Sequence, residues 1–400
     1  MNVGILEQIN DHVVALDIAG LKAMWSRYSS SDFPFTLGQQ NMYSLAKAIT
    51  GGSIEDYDSE VYVDLCQFCL SSFQSTTQNQ NLANGNSEES AEILLREALF
   101  DFYVATGHFK EAANVLAELK LEGSSGQSFS DQTKADFYIK IAEAYLTDDE
   151  ADAAEVYVGK ASGLMISVTD ITLQLRFCTV NARVLDANRK FLDAAMRYHE
   201  LSQANQQNLD QDDLMELYAR GVACAILGKA GPQRSRIISV LYGDKRFGAL
   251  ESDMNFSPHA HILKRIEKGQ ILDHRDMEAF EKTLSEHQKA MTGDGSNIYE
   301  RAIVEHNLVA IGNVYENIRF EEVGLLLDIT PKKAEQVSAR MISEGRLLAS
   351  IDQVEGLLVF DDETNEVYEW EKRVQNTFIQ IAECSDLIKE TYPQLFSEPK

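Results

Sequence analysis

At roughly 150 residues per domain, 400 residues set an expectation of two to three domains, and 44% hydrophobic side chains are enough to build buried cores. The 63 acidic and 36 basic residues leave a net charge of −27, which repels phosphate backbones and anionic lipid and argues against nucleic acid or membrane as partners. Only 6 Pro and 23 Gly is sparse punctuation for a turn-rich β fold, so long helices are expected.

The stretch Met1 to Asn10 lacks the basic start of a secretion signal, and Glu7 and Asp11 interrupt it. No run reaches the roughly 18 apolar residues of a membrane span, so a soluble, intracellular chain is expected. Five cysteines, an odd number, fit reducing surroundings better than a disulfide framework. Cys66 and Cys69 form a C-x-x-C inside the apolar run Val61 to Leu70, with no second pair at zinc-finger spacing. They are read as small buried hydrophobes. The polar stretch Gln74 to Ser90 is read as a mobile loop, and Gly123 to Gly126 and Gln203 to Asp213 as similar connectors.

Helical periodicity dominates to about residue 290. Three segments share a turn followed by an acidic residue and two alanines: Glu111-Ala112-Ala113, Asp152-Ala153-Ala154 and Asp193-Ala194-Ala195. The first alanines recur at intervals of 41. Apolar helices precede the turns, from Ala91 to Thr106, Thr133 to Leu146 and Leu173 to Asn188. The pattern predicts stacked helical hairpins of the TPR or HEAT kind, with the alanines allowing close helix approach. One further step reaches Ser235-Arg236, where the alanine pair is gone.

After Thr292 to Gly295 the period changes. Asn297 and Glu300 predict a capped helix over Ile298 to Tyr315, and a short helix holds Val323, Leu326 and Leu327. Thr330 and Pro331 open a third helix. It carries Ala334, Val337, Ser338, Met341 and Ile342 on one face and stops at Gly345. Two strand-like runs, Arg346 to Ile351 and Leu357 to Phe360, flank a hairpin connection. Three helices and a β-hairpin predict a winged helix. Beyond an acidic linker, Asp361-Asp362-Glu363, the residues Trp370, Val374, Phe378, Ile381, Cys384 and Ile388 form one apolar stripe at 3.6-residue spacing.

Helical repeats leading into a carboxy-terminal winged helix resemble the PCI family of proteasome-lid, signalosome and translation-initiation subunits. The run Ala182 to Asp186 with Arg189 to Ser202 resembles the signalosome branch. So do His287 to Ala290, Asp294 to Ser296, Arg301 to Leu308, Gly231 to Arg236 and Glu344-Gly345-Arg346. The resemblance spans about Ala91 to Phe360. Where family members often carry Leu-Asp-Arg-Ala, this chain has Tyr299-Glu300-Arg301-Ala302.

The resemblance implies an all-α helical-repeat solenoid with a winged-helix PCI subdomain and a terminal helix. It divides into a repeat arm at 1–290 (its PCI helical part from about 190), a winged helix at 291–360 and a linker with an interaction helix at 361–400. It further implies a non-catalytic scaffold, without cofactor, that supports deneddylation of cullin-RING ligases in cytoplasm and nucleus. The expected partners are other PCI subunits, metalloprotease-fold subunits and the cullin-RING ligase as substrate, with no nucleic acid and no membrane. A proteasome-lid or initiation-complex subunit is the alternative.

His259-Ala260-His261, with Asp273 further on, echoes a metalloprotease motif. Ser257-Pro258 places both histidines in a first helical turn, where positions i and i+2 point apart, so no metal or catalytic residues are expected. Lys332, Lys333, Arg340 and Arg346 raise the possibility of DNA binding, but Ser296 to Phe360 holds 6 basic and 10 acidic residues. That balance favours a protein-binding wing over a groove-reading helix. The candidate interaction residues are Leu348, Ile351, Leu358 and Phe360 on the wing, where an exposed strand edge is expected. In the terminal stripe they are Trp370, Val374, Phe378, Ile381 and Ile388.

Overall fold

The computed structural model describes residues 17–360 apart from 30–34, 52–58, 77–90, 120–128, 204–209, 273 and 292–296. His12 and helical positions scattered between Trp370 and Ile388 are also described. The expectations for Met1 to Asn10, Gly123 to Gly126, Asp273 and Asp361 to Glu363 lie outside these residues, as do most of those for the 74–90 loop. The described residues divide into two compact units, 1–221 and 222–400.

In the first unit, α1 (Ile18–Ser29), α2 (Phe35–Thr50) and α3 (Ser59–Thr76) gather around Trp25. Its indole N–H donates to Ser72 Oγ at 2.7 Å. Cys66 and Cys69 belong to this core, and burial pushes both thiols up to about 12. Neither is a thiolate near neutrality, so both act as hydrophobes. The expected loop starts at Gln74, but α3 continues to Thr76.

Three hairpins follow: α4 (Ala91–Ala105) with α5 (Phe109–Ala117), α6 (Asp131–Thr147) with α7 (Ala151–Leu164), and α8 (Ile171–Ala187) with α9 (Phe191–Ser202). Each turn has the same backbone. Gly107, Asp149 and Arg189 take φ of 80°, 59° and 60°. The next N–H in each case reaches five residues back, from His108 to Tyr103 O, Glu150 to Tyr145 O and Lys190 to Leu185 O, at 2.8–2.9 Å. This closure satisfies carbonyls that the helix end would otherwise leave unbonded. Ala112, Ala113, Ala154, Ala194 and Ala195 are fully buried, so the alanine pairs serve packing between helices.

α10 (Gln211–Leu227) begins inside the stretch expected as a connector and runs through the boundary between the units. Asp212 and Asp213 lie in its first turn, where the helix dipole favours acids. The second unit continues with α11 (Pro232–Tyr242), α12 (Phe247–Ser252), α13 (Ser257–Glu267), α14 (His274–Glu281) and α15 (Ile298–Gly312). Asn297 and Glu300 form the expected capping box on α15, the Asn297 N–H donating to Glu300 Oε2 at 3.2 Å. α15 stops at Gly312, short of the expected Tyr315, and the Phe360 ring packs there. A Cβ on Gly312 would lie 2.8 Å from that ring.

The winged helix is completed by β1 (Asn317–Arg319), α16 (Phe320–Leu327), α17 (Pro331–Ser343), β2 (Ala349–Asp352) and β3 (Leu357–Phe360). Thr330 caps α17 by accepting from the Lys333 N–H at 3.3 Å. Asp352 Oδ1 accepts from the N–H groups of Val354 and Glu355 and closes the β2–β3 turn, which ends at Gly356 with φ 65°. Strand β2 starts later than the expected Arg346, because the N–H groups of Arg346 and Leu347 are taken by Met341 O at 2.8 and 3.3 Å.

β1 is an addition to the expected hairpin, and it changes which strand forms an edge. The sheet order is β1-β3-β2, antiparallel throughout, with Leu358 opposite both Ile318 and Ile351. Leu358 is 0% exposed. It packs in the wing core with Ile318, Val337 and Met341; β3 is paired on both sides, and among the described residues the free edges are those of β1 and β2.

Candidate interaction site

The wing is tied to its supporting helices by a buried ionic cluster. Glu305, on α15, is 1% exposed. Its carboxylate accepts two bonds from Arg346, Nη1 to Oε2 at 2.6 Å and Nη2 to Oε1 at 3.2 Å. Arg301 Nε donates to Oε1 at 3.1 Å, and Arg340 Nη2 approaches the same oxygen at 3.8 Å. The Ala230 N–H donates to Oε2 at 3.4 Å. Burial alone would raise this carboxyl, but hydrogen bonds and charge from Arg346 and Arg301 outweigh it and hold the group below the usual carboxylate range.

Arg346 bridges further, through Nη1 to Ala230 O at 3.2 Å and Nε to Glu344 Oε2 at 2.7 Å. Arg234, itself buried, donates to Ala225 O and Ile226 O at 3.0 and 2.7 Å, satisfying carbonyls at the end of α10. Burial lowers Arg234 to about 10 against the pull of Glu305, so it stays charged near neutrality. Next to Glu305, Asn307 clamps the backbone of Leu272, accepting from its N–H at 2.9 Å and donating to its carbonyl at 3.2 Å. His306 Nε2 lies 2.9 Å from Gln270 O.

The two α13 histidines diverge. His259 is buried edge-on to Phe280, with ring centroids 5.2 Å apart, and burial lowers it to about 4. His261 faces outward, its Nδ1 3.3 Å from Asp276 Oδ1. Among the described residues, no group of three or more His, Cys, Asp or Glu could hold a metal ion, and no helix is long and apolar enough to cross a membrane.

The proposed contact residues fall into two groups. On the wing, Leu348 is 57% exposed just before the edge strand β2. Ile351 and Phe360 are half-buried against the fold, and Leu358 is interior. In the terminal stripe, Trp370, Phe378 and Ile381 are 70%, 66% and 58% exposed, Ile388 and Cys384 are also exposed, and Val374 is half-buried. Ile379, absent from the sequence-based set, is exposed beside them. All these stripe positions are helical. Large apolar groups left in water at successive helical positions are the usual mark of a face that a partner covers.

Helical hairpins and a three-stranded winged helix within one chain are the parts of a PCI-domain protein. The PCI domain model matches residues 275–362, and a model described as PSMD12/CSN4, N-terminal, matches residues 87–210, which hold α4 to α9. COP9 signalosome complex subunit 4 of Arabidopsis thaliana is 35% identical over 350 residues, covering 86% of this chain and 83% of that protein. The Drosophila melanogaster subunit 4 is 36% identical over 299 residues, covering 75% and 71%, and that of Dictyostelium discoideum 31% over 390, covering 98% and 92%. The chain belongs to the COP9 signalosome subunit 4 family.

Proposed function

We propose that this chain is a non-catalytic scaffold subunit of a COP9 signalosome, supporting deneddylation of cullin-RING ligases in cytoplasm and nucleus. It holds sister PCI and metalloprotease-fold subunits while its hairpin repeats meet the cullin ligase. The working division is an arm at 1–290, a winged helix at 291–360 and a terminal interaction segment at 361–400. The free edges of β1 and β2 suit pairing with another sheet edge.

The observation that carries this reading is the exposed stripe of Trp370, Phe378, Ile379, Ile381 and Ile388. Burying each such side chain is worth roughly 1.5–3 kcal/mol, enough in sum to hold a helix in an intersubunit bundle. The test is a tagged chain carrying Phe378→Asp with Ile381→Asp, expressed in cells and captured. Each exposed substitution is expected to change the stability of the isolated chain by no more than about 0.5 kcal/mol, while the sister subunits and the cullin-deneddylating activity disappear from the capture. Unchanged recovery of both would refute the scaffold role of the stripe.

A further inference from the structure

The second unit contains a concave groove of about 1020 Å³ between α15, the 271–272 segment and the turn joining α16 to α17. Its size is at the top of the range for specific ligand pockets, roughly 300–1,000 Å³. Its apolar lining includes Val304, Leu326 and Ile329. Its charged lining is Arg301, Lys332, Lys333 and Arg340 against Glu300 and Asp328. The lining carries two more positive than negative groups, one of them balanced by the buried Glu305 behind the arginines, in a chain whose net charge is −27.

The cations on the two walls are held differently. Arg301 hydrogen-bonds Glu305 behind it, and Arg340 Nη2 lies 3.8 Å from the same carboxylate. Lys332 and Lys333 form no ion pair with any described residue, and they occupy the first turn of α17, which contains no acid. Cations there oppose the helix dipole, whose positive end favours anions. An anionic group seated in the groove would offset the dipole and both lysines together.

We propose that this groove binds a short acidic peptide segment of a partner protein. An aliphatic side chain of the segment packs against Val304, Leu326 and Ile329, and its carboxylates lie against Lys332 and Lys333. The apolar lining selects against a bare polyanion. The segment Ser296 to Phe360 carries 10 acidic and 6 basic residues, a balance that disfavours an extended phosphate backbone. The inference goes beyond the scaffold reading and is tested on the full chain alone, so either can fail without the other.

The probe is a fluorescein-labelled peptide of Glu-Glu-Leu repeats, followed by anisotropy against the purified full chain. Polyglutamate, Lys-Lys-Leu repeats and a single-stranded oligonucleotide serve as comparisons. The Glu-Glu-Leu peptide is expected to bind, to weaken as salt rises, and to outcompete every comparison. Lys332→Glu with Lys333→Glu should weaken it by roughly tenfold or more, and Leu326→Asp should do the same without touching the lysines. The double charge reversal should melt no lower than the parent, because it removes cations from a helix start. No binding of the Glu-Glu-Leu peptide, equal binding to the double variant, or tighter binding of polyglutamate would overturn the proposal. So would an oligonucleotide that binds more tightly through the same lysines, which would point to nucleic acid instead.

Discussion

Replacing Glu305 with Gln should loosen the wing while leaving the hairpin repeats intact. The substitution keeps the shape but removes the negative charge, and it turns an amide donor toward guanidinium donors. Removing one partner of a buried ion pair costs about 3–5 kcal/mol, because the other charge is left without compensation. The arginines differ in how far they can escape that penalty. The Arg346 side chain is 12% exposed and Arg340 29%, so Arg340 can turn toward water and Arg346 cannot. Arg346 keeps Glu344 as a second partner, which places the expected loss near the lower bound, about 3 kcal/mol.

Hydrogen exchange read by mass spectrometry resolves where the loss falls. Amides of α17, β2 and β3 should lose protection by roughly a hundredfold, since each 1.4 kcal/mol is about a factor of ten. Amides of α6 and α7 in the other unit should be unchanged. Combining Glu305→Leu with Arg346→Met should restore part of the protection, because it removes the least exposed arginine together with the carboxylate, while Arg301 and Arg340, 21% and 29% exposed, can turn toward water. Wing protection that stays at the parent level would refute the role given to Glu305. A uniform loss over both units would do the same.

Acid should destabilise the chain through two buried histidines. His259 and His306 are lowered to about 4, mainly by burial, with the Arg234 charge adding to the effect at His306. The unfolded chain takes up these protons near 6.5 and the native fold does not. Their contribution is therefore full above pH 6.5 and lost as pH falls toward 4, up to about 3 kcal/mol per residue. Urea midpoints across that window should fall more steeply for the parent than for His306→Gln, and parallel curves would exclude His306 as a source. Arg189→Gly should raise the melting temperature, by about 0.5–1 kcal/mol of stability, because a side chain in the left-handed region is strained and Gly is not. Destabilisation by that change would show that the Arg189 side chain contributes more than its backbone strain removes.

The repeats were legible in the sequence because close helix packing requires small side chains, and the alanine pairs carry that requirement at fixed intervals. The caps of α15 and α17 were legible because capping acts over three residues. β1 was not: of Asn317, Ile318 and Arg319 only Ile318 is buried, and a single apolar residue has no period. The ion cluster was hidden for a different reason. Ala230, Glu305 and Arg346 are separated by 75, 41 and 116 positions, and no local pattern reports such contacts. A trace of it was nonetheless visible, since three of the segments that carry the family resemblance, 231–236, 301–308 and 344–346, meet at Glu305 and Arg346. Of the two strand edges expected on the wing, that of β2 stands and that of β3 does not, because a hairpin read alone leaves both of its strands unpaired on one side.

α4 belongs to two cores at once. Ile93 faces the hairpin core around Tyr138 and Leu146, while Leu95, Leu99 and Phe102 face the core around Trp25. A helix with two greasy sides has no natural cutting point before it, even though the recognisable hairpin segment begins at residue 87. A fragment starting there would present Leu95, Leu99 and Phe102 to water and clump in the tube, so the shortest soluble piece of the arm must keep α1 to α3.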